Sequence, residues 1–170
     1  LLLDGEEEEI LAKMSNLENA SGRFQMIRNE KDNVAIVDYA HTPDALRNVL
    51  STIKDITENH RDIITVVGCG GDRDKLKRPL MAQTACEFSD KVILTSDNPR
   101  TENPTDILTD MEKGVPQDFK RNVLIIENRK EAIKTACLML SESAVLLVAG
   151  KGHETYQEIN HVRYHFDDTE

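Results

Sequence analysis

Apolar residues along the chain fall into five short runs, each followed by a stretch in which they recur every three or four positions. The runs are Val34 to Val37, Ile63 to Val67, Lys91 to Thr95, Val123 to Ile126 and Ala144 to Val148. They are β-branched and nearly unbroken by polar residues, as parallel strands covered on both faces should be. The intervening stretches carry helix start signals. Thr42-Pro43 supplies an N-cap and an N1 proline before Ala45, Leu46, Val49, Leu50 and Ile53 on one face. Asn103-Pro104 repeats that device before Ile107, Leu108 and Met111, with Gly114 where a C-cap belongs. Asn128 and Glu131 have capping-box spacing ahead of Ala132, Ile133, Ala136, Cys137 and Leu140. Pro79 opens a further helix through Leu80, Met81, Thr84, Ala85 and Phe88.

Strands alternating with helices predict an α/β fold: a Rossmann-like three-layer sandwich on a mainly parallel sheet of about six strands, with right-handed crossovers assumed. The pattern changes after the fifth run. Tyr156 to Ile159 and Val162 to Phe166 flank Asn160-His161, which predicts a hairpin and one antiparallel edge strand. His161 and His165 read as surface residues, and Asp167-Asp168-Thr169-Glu170 resembles the start of another helix. Residues 1–22 stand apart: an acidic run, Glu6 to Glu9, precedes Ile10, Leu11 and Met14 in a helix-like spacing, then a linker-like Asn19-Ala20-Ser21-Gly22. This stretch is expected to be the remnant of a preceding domain and its hinge, with 23–170 as the main domain.

Composition removes several function classes. In 170 residues, 39% hydrophobic and 31% charged, no apolar run approaches the ~20 residues of a membrane span. A net charge of -10 argues against a sequence-independent hold on nucleic acid, which needs Lys and Arg against phosphates. Three widely spaced cysteines, Cys69, Cys86 and Cys137, suggest neither a disulfide framework nor a zinc site. Free thiols in a reducing cytoplasm are expected.

In such sheets ligands bind beyond the carboxyl ends of strands, so the loops there hold the candidate chemistry. After the first strand, Asp38-Tyr39-Ala40-His41-Thr42-Pro43 offers a carboxylate and an aromatic for a nucleotide; helix capping by Asp and Thr is the plainer alternative. After the second, Gly68-Cys69-Gly70-Gly71-Asp72-Arg73-Asp74 lets backbone approach a ligand beside a guanidinium. It is neither GxGxxG nor a Walker A loop. After the third, Asp97-Asn98-Pro99-Arg100 presents an amide and a guanidinium from a stiff turn, suited to the carboxylate and ammonium of an amino acid. A salt bridge from this turn to Glu102 or Asp106 is equally open. After the fifth, Gly150-Lys151-Gly152-His153-Glu154 lacks the first glycine of a P-loop, but Glu154 can accept from an ammonium. No histidine–carboxylate group has metal spacing.

These loops, together with Gly22-Arg23-Phe24, occur in the order seen in the Mur ligases that act as UDP-N-acetylmuramoyl-tripeptide synthetases. The resemblance covers nearly the whole chain from Arg23 onward. It implies the C-terminal, amino-acid-binding domain of a three-domain ATP-dependent ligase that adds meso-diaminopimelate to UDP-MurNAc-L-Ala-D-Glu in the cytoplasm. By resemblance, Asp97, Asn98, Pro99 and Arg100 form the diaminopimelate motif, with Arg73, Gly150 and Glu154 as the remaining contacts. Lysine-adding relatives lack the arginine matching Arg100, because lysine has no distal carboxylate. Arg23 matches an arginine that reaches the ATP phosphates on domain closure and is the implied catalytic residue; Asp38, Tyr39 and His41 match positions on the ATP side, with Lys151 a weaker match. ATP and Mg2+ would be held mainly by a central domain whose lysine and magnesium ligands this chain lacks, so it should not catalyse alone. Gln25 in place of the usual Glu, and Ala20-Ser21 in place of Val-Pro, depart from the pattern at the hinge. The alternatives are a lysine-adding or folylpolyglutamate-synthetase-type ligase domain, or a non-catalytic nucleotide-binding module.

Overall fold

The computed structural model describes residues 22–29, 32–58 and 60–170. The acidic stretch and most of the expected hinge, residues 1–21, lie outside the described residues. Among the described residues there are eight strands: β1 (Gln25–Arg28), β2 (Val34–Asp38), β3 (Ile63–Cys69), β4 (Lys91–Ser96), β5 (Val123–Ile125), β6 (Val145–Ala149), β7 (Tyr156–Ile159) and β8 (Val162–His165). Four helices connect them: α1 (Pro43–Ile56), α2 (Lys77–Phe88), α3 (Pro104–Glu112) and α4 (Arg129–Met139). Six strands form one sheet in the order β1-β2-β6-β3-β4-β5, parallel throughout except for β1, which runs antiparallel to β2.

Alternation along the parallel strands divides the core in two. Val145, Leu147 and Ala149 face a large cluster with Leu46, Leu50 and Ile53 of α1, Met81, Ala82 and Ala85 of α2, and Ile107, Leu108 and Met111 of α3. Leu146 and Val148 point the other way, to Val37, Ile64, Val66 and Ile93, and to Ala132 and Ala136 of α4. A strand buried on both faces carries few polar residues, which is why β2, β3, β4 and β6 read as nearly continuous apolar runs; β5, expected to be covered likewise, is an edge strand with Leu124 and Ile125 exposed.

The predicted caps form with some differences. Thr42 Oγ1 accepts from Ala45 N at 3.2 Å, and Asn103 Oδ1 accepts from Thr105 N at 2.9 Å. Asn128 Oδ1 accepts from Glu131 N at 3.1 Å, but the Glu131 carboxylate pairs with Lys134, so the box is half made. α2 begins two residues before Pro79. Gly114 follows α3 without entering the left-handed region; a side chain there would overlap Pro79 instead.

Two expectations are corrected. The hairpin β7–β8 forms, but as a separate two-stranded sheet; the antiparallel edge of the main sheet is β1. Backbone bonds from Arg100 N to Glu158 O (3.0 Å) and from Asn160 N to Arg100 O (2.7 Å) dock β7 beside the loop after β4. Arg100 itself has φ 51°, which breaks the extended course that would carry pairing onward. The expected helix start at Asp167–Glu170 is a turn. Its Asp168 is buried against Arg129, with Nε to Oδ1 and Nη2 to Oδ2 both 2.7 Å.

Candidate functional site

Because β2, β6, β3 and β4 are parallel, the loops leaving their carboxyl ends meet at one rim of the sheet. Between these loops and the docked hairpin lies a cleft of about 650 Å³. It is lined by Tyr39, His41 and Thr42, by Gly70, Arg73, Asp74 and Lys77, by Asp97, Asn98 and Arg100, by Gly150 and Glu154, and by Tyr156, Glu158 and Arg163.

The floor is a buried polar cluster. Lys151 is wholly enclosed; its Nζ donates to Asn98 Oδ1 (3.2 Å) and Glu154 Oε2 (3.4 Å) and lies 3.9 Å from Asp97 Oδ1. Asn98 Nδ2 donates to the same Glu154 oxygen at 2.8 Å, and Asn98 Oδ1 also accepts from Glu158 N at 2.9 Å. One oxygen of Glu154 is thereby anchored, while Oε1 makes no hydrogen bond among the described residues. A carboxylate oxygen held towards a cleft above a buried lysine is an acceptor for a ligand ammonium.

The walls carry the cations. Arg100 Nη1 donates to Gly71 O at 2.9 Å, which orients the guanidinium and leaves the rest of its fork to the cleft. The possible bridge from Arg100 to Glu102 or Asp106 does not form, because Glu102 is taken by buried Arg78 (2.8 Å) and by Lys75 (3.1 Å). Hydrogen bonding from Arg78 holds the Glu102 carboxyl down at about 2 against the opposing effect of burial, with the Asp72 amide and Lys75 assisting. Arg73 is exposed on the opposite loop and makes no hydrogen bond or ion pair among the described residues. Gly71 lets these two loops touch: its N donates to Asn98 O at 2.9 Å, and a Cβ would overlap the Pro99 carbonyl.

Of the residues marked out by sequence, Arg73, Asp97, Asn98, Arg100, Gly150 and Glu154 converge on the cleft, joined by Tyr39 and His41. Tyr39 lies between His41 (ring centroids 4.6 Å) and His153 (5.1 Å), both rings tilted against it. Pro99 is buried and lines a separate recess with Ser96 and Pro104. Asp38 stands just below the rim with both oxygens committed, to Phe24 N and Ala40 N at 2.8 Å each, so it neither caps α1 nor lines the cleft. Arg23 is exposed and outside the lining. It follows Gly22, whose φ of 73° and missing side chain let the backbone lie against Gly152 and His153.

The motifs did not reveal Lys77, Tyr156, Glu158 or Arg163, and they ranked Lys151 low. Tyr156 and Glu158 alternate on one hairpin strand, a signal present in sequence, but the docking of the hairpin was not. The buried Cys69 thiol, at the end of β3, is pushed up to about 12 by burial and is no nucleophile at neutral pH.

Four basic and four acidic side chains line the cleft: Arg73, Lys77, Arg100 and Arg163 against Asp74, Asp97, Glu154 and Glu158. That balance fits a zwitterion better than a polyphosphate. Residues 22–152 match the family model for the Mur ligase glutamate ligase domain. The chain belongs to this family. As a Mur ligase domain it is 57% identical over 168 residues, 99% of its length, to a UDP-N-acetylmuramoyl-L-alanyl-D-glutamate–2,6-diaminopimelate ligase of Cytophaga hutchinsonii, of which the match covers 34%. A solved structure of a ligase of that name superposes with a TM-score of 0.79 at 48% identity, over 90% of this chain and 31% of the other. A folylpolyglutamate synthase from Thermotoga maritima shares the fold at a TM-score of 0.58 and 23% identity, over 78% of this chain and 28% of the other. The chain thus spans about a third of the length of the curated relatives it matches.

Proposed function

We propose that this Mur ligase domain binds meso-diaminopimelate as the C-terminal part, residues 23–170, of a cytoplasmic ligase that joins it to UDP-MurNAc-L-Ala-D-Glu. Residues 1–22 then belong to the hinge and the end of the central ATPase domain. The observation that carries this reading is one cleft holding an oriented guanidinium, Arg100, a second without a partner among the described residues, Arg73, and an anchored carboxylate, Glu154. The guanidiniums take the distal carboxylate of the amino acid, and Glu154, steadied by Asn98 and Lys151, takes the ammonium beside it. Asp97 adds negative charge to the floor, while Pro99 and Gly150 shape the turns that carry these groups.

In the reaction, ATP phosphorylates the D-glutamate γ-carboxylate, and the free amine of diaminopimelate attacks the acyl phosphate. A tetrahedral intermediate forms and expels phosphate, its charge stabilised by groups brought in on closure. Arg23, exposed next to Gly22, would swing to the phosphates on closure, and Tyr39 and His41, which line the cleft, would face the nucleotide. Mg2+ is assigned, with ATP, to the rest of the enzyme, and no step is routed through a metal on this chain.

The test is ligation by the full-length protein with meso-diaminopimelate and with lysine, before and after Arg100→Ala. Diaminopimelate should be strongly preferred, and the substitution should remove most of that preference. Equal use of both amino acids by the unaltered protein would refute the reading.

A further inference from the structure

One wall of the cleft comes from the hairpin, which none of the loop motifs includes. The β7–β8 register sets Glu158 directly opposite Arg163, so these two share a face of the ribbon with Tyr156, two residues before Glu158. All three line the cleft. The Arg163 guanidinium carbon sits 4.2 Å from the centre of the Tyr156 ring, and its Nε lies 3.9 Å from a Glu158 carboxylate oxygen. Its two terminal nitrogens make no hydrogen bond among the described residues. Tyr156 is in turn tied to the floor, with Lys151 Nζ 5.5 Å from its ring centre.

We propose that Arg163 is a further specificity-determining residue, receiving a carboxylate of the incoming amino acid from the hairpin side; this rests on the function proposed above. A ligand with two carboxylates has more anionic ends than Arg73 and Arg100 can grip at one point. Arg163 faces the same space from a different element. The Tyr156 ring beneath it and the pull of Glu158 on Nε bias the fork towards the cleft before the ligand arrives, which lowers the entropy lost on binding. Lysine would keep the charge but lose both the stack and the paired donors.

The experiment is steady-state kinetics of the full-length ligase, unaltered and as Arg163→Ala and Arg163→Lys, varying diaminopimelate and the UDP-linked acceptor separately. Arg163→Ala should raise KM for diaminopimelate ~10- to 100-fold, the worth of one charge-assisted hydrogen-bonded contact, with kcat little changed. KM for the acceptor should stay as it was, and Arg163→Lys should recover only part of the loss. The side chain is 65% exposed, so the thermal midpoint should not move. A KM for diaminopimelate within twofold of the unaltered enzyme would overturn the proposal, as would a loss confined to the acceptor. If the unaltered ligase fails to use diaminopimelate at all, the proposed function falls and this inference with it.

Discussion

Replacing Asp168 by Ala would leave a charge stranded in the core. Arg129 and Asp168 are both fully buried at the side chain and share two hydrogen bonds of 2.7 Å; Arg129 Nη2 also donates to Ala149 O at 3.1 Å, and Nη1 is buried with no partner among the described residues. Burial alone would lower the Arg129 pKa, but Asp168, with smaller help from the charges of Asp97 and Glu154, raises it, so the guanidinium stays charged. Without Asp168 that charge keeps one carbonyl as its partner. Removing one member of a buried pair costs about 3–5 kcal/mol. That is a large part of a typical domain's total of about 5–15 kcal/mol. With a urea slope of about 2 kcal/mol/M, the unfolding midpoint should fall by roughly 1.5–2.5 M, read by circular dichroism on the domain. Arg129→Met combined with Asp168→Leu removes both charges and should cost much less than Asp168→Ala alone. A loss below about 1 kcal/mol for Asp168→Ala, or a double variant less stable than the single one, would show that no buried charge is being stranded.

Two further outcomes follow from the site's supports. Gly71→Ala pushes a methyl into the Pro99 carbonyl and should cost about 1–3 kcal/mol while weakening diaminopimelate binding through displacement of Asn98 and Arg100; calorimetry and urea titration of the same variant check both. Glu102 titrates near 2 in the fold against an ordinary 4.5, so its pairing with Arg78 stabilises fully above about 4.5 and is lost as pH falls towards 2. The stability gap between the unaltered protein and Glu102→Gln should therefore narrow between pH 5 and pH 3, and a gap independent of pH would contradict the ion pair.

The strand runs and helix caps were legible because they are local: a buried parallel strand is apolar at nearly every position, with the rare buried hydroxyl, as at Thr65, hydrogen-bonded, and an N-cap satisfies amides two or three residues away. β1 escaped notice because Gln25-Met26-Ile27-Arg28 is a short, partly exposed edge strand with no such constraint. The site loops were legible as motifs at strand ends, and six of the seven residues expected to contact the amino acid do meet in the cleft, Pro99 being the exception.

What the amino-acid order alone determined, then, was the α/β class, the rim that carries the candidate site and the residue types brought there, since each follows from neighbours within a few positions. Tertiary structure alone decided which of those groups are committed and which are left for a ligand. Asp38 spends both oxygens on backbone amides, Glu102 goes to Arg78 rather than Arg100, and Asp168 caps a buried guanidinium 39 positions away. Arg163 enters the cleft because backbone hydrogen bonds between Arg100 and Glu158 and Asn160 dock the hairpin beside the loop after β4. Hydrogen bonds and ion pairs between distant segments depend on ångström-scale placement, and that placement is set by packing the whole sheet, which no local pattern encodes.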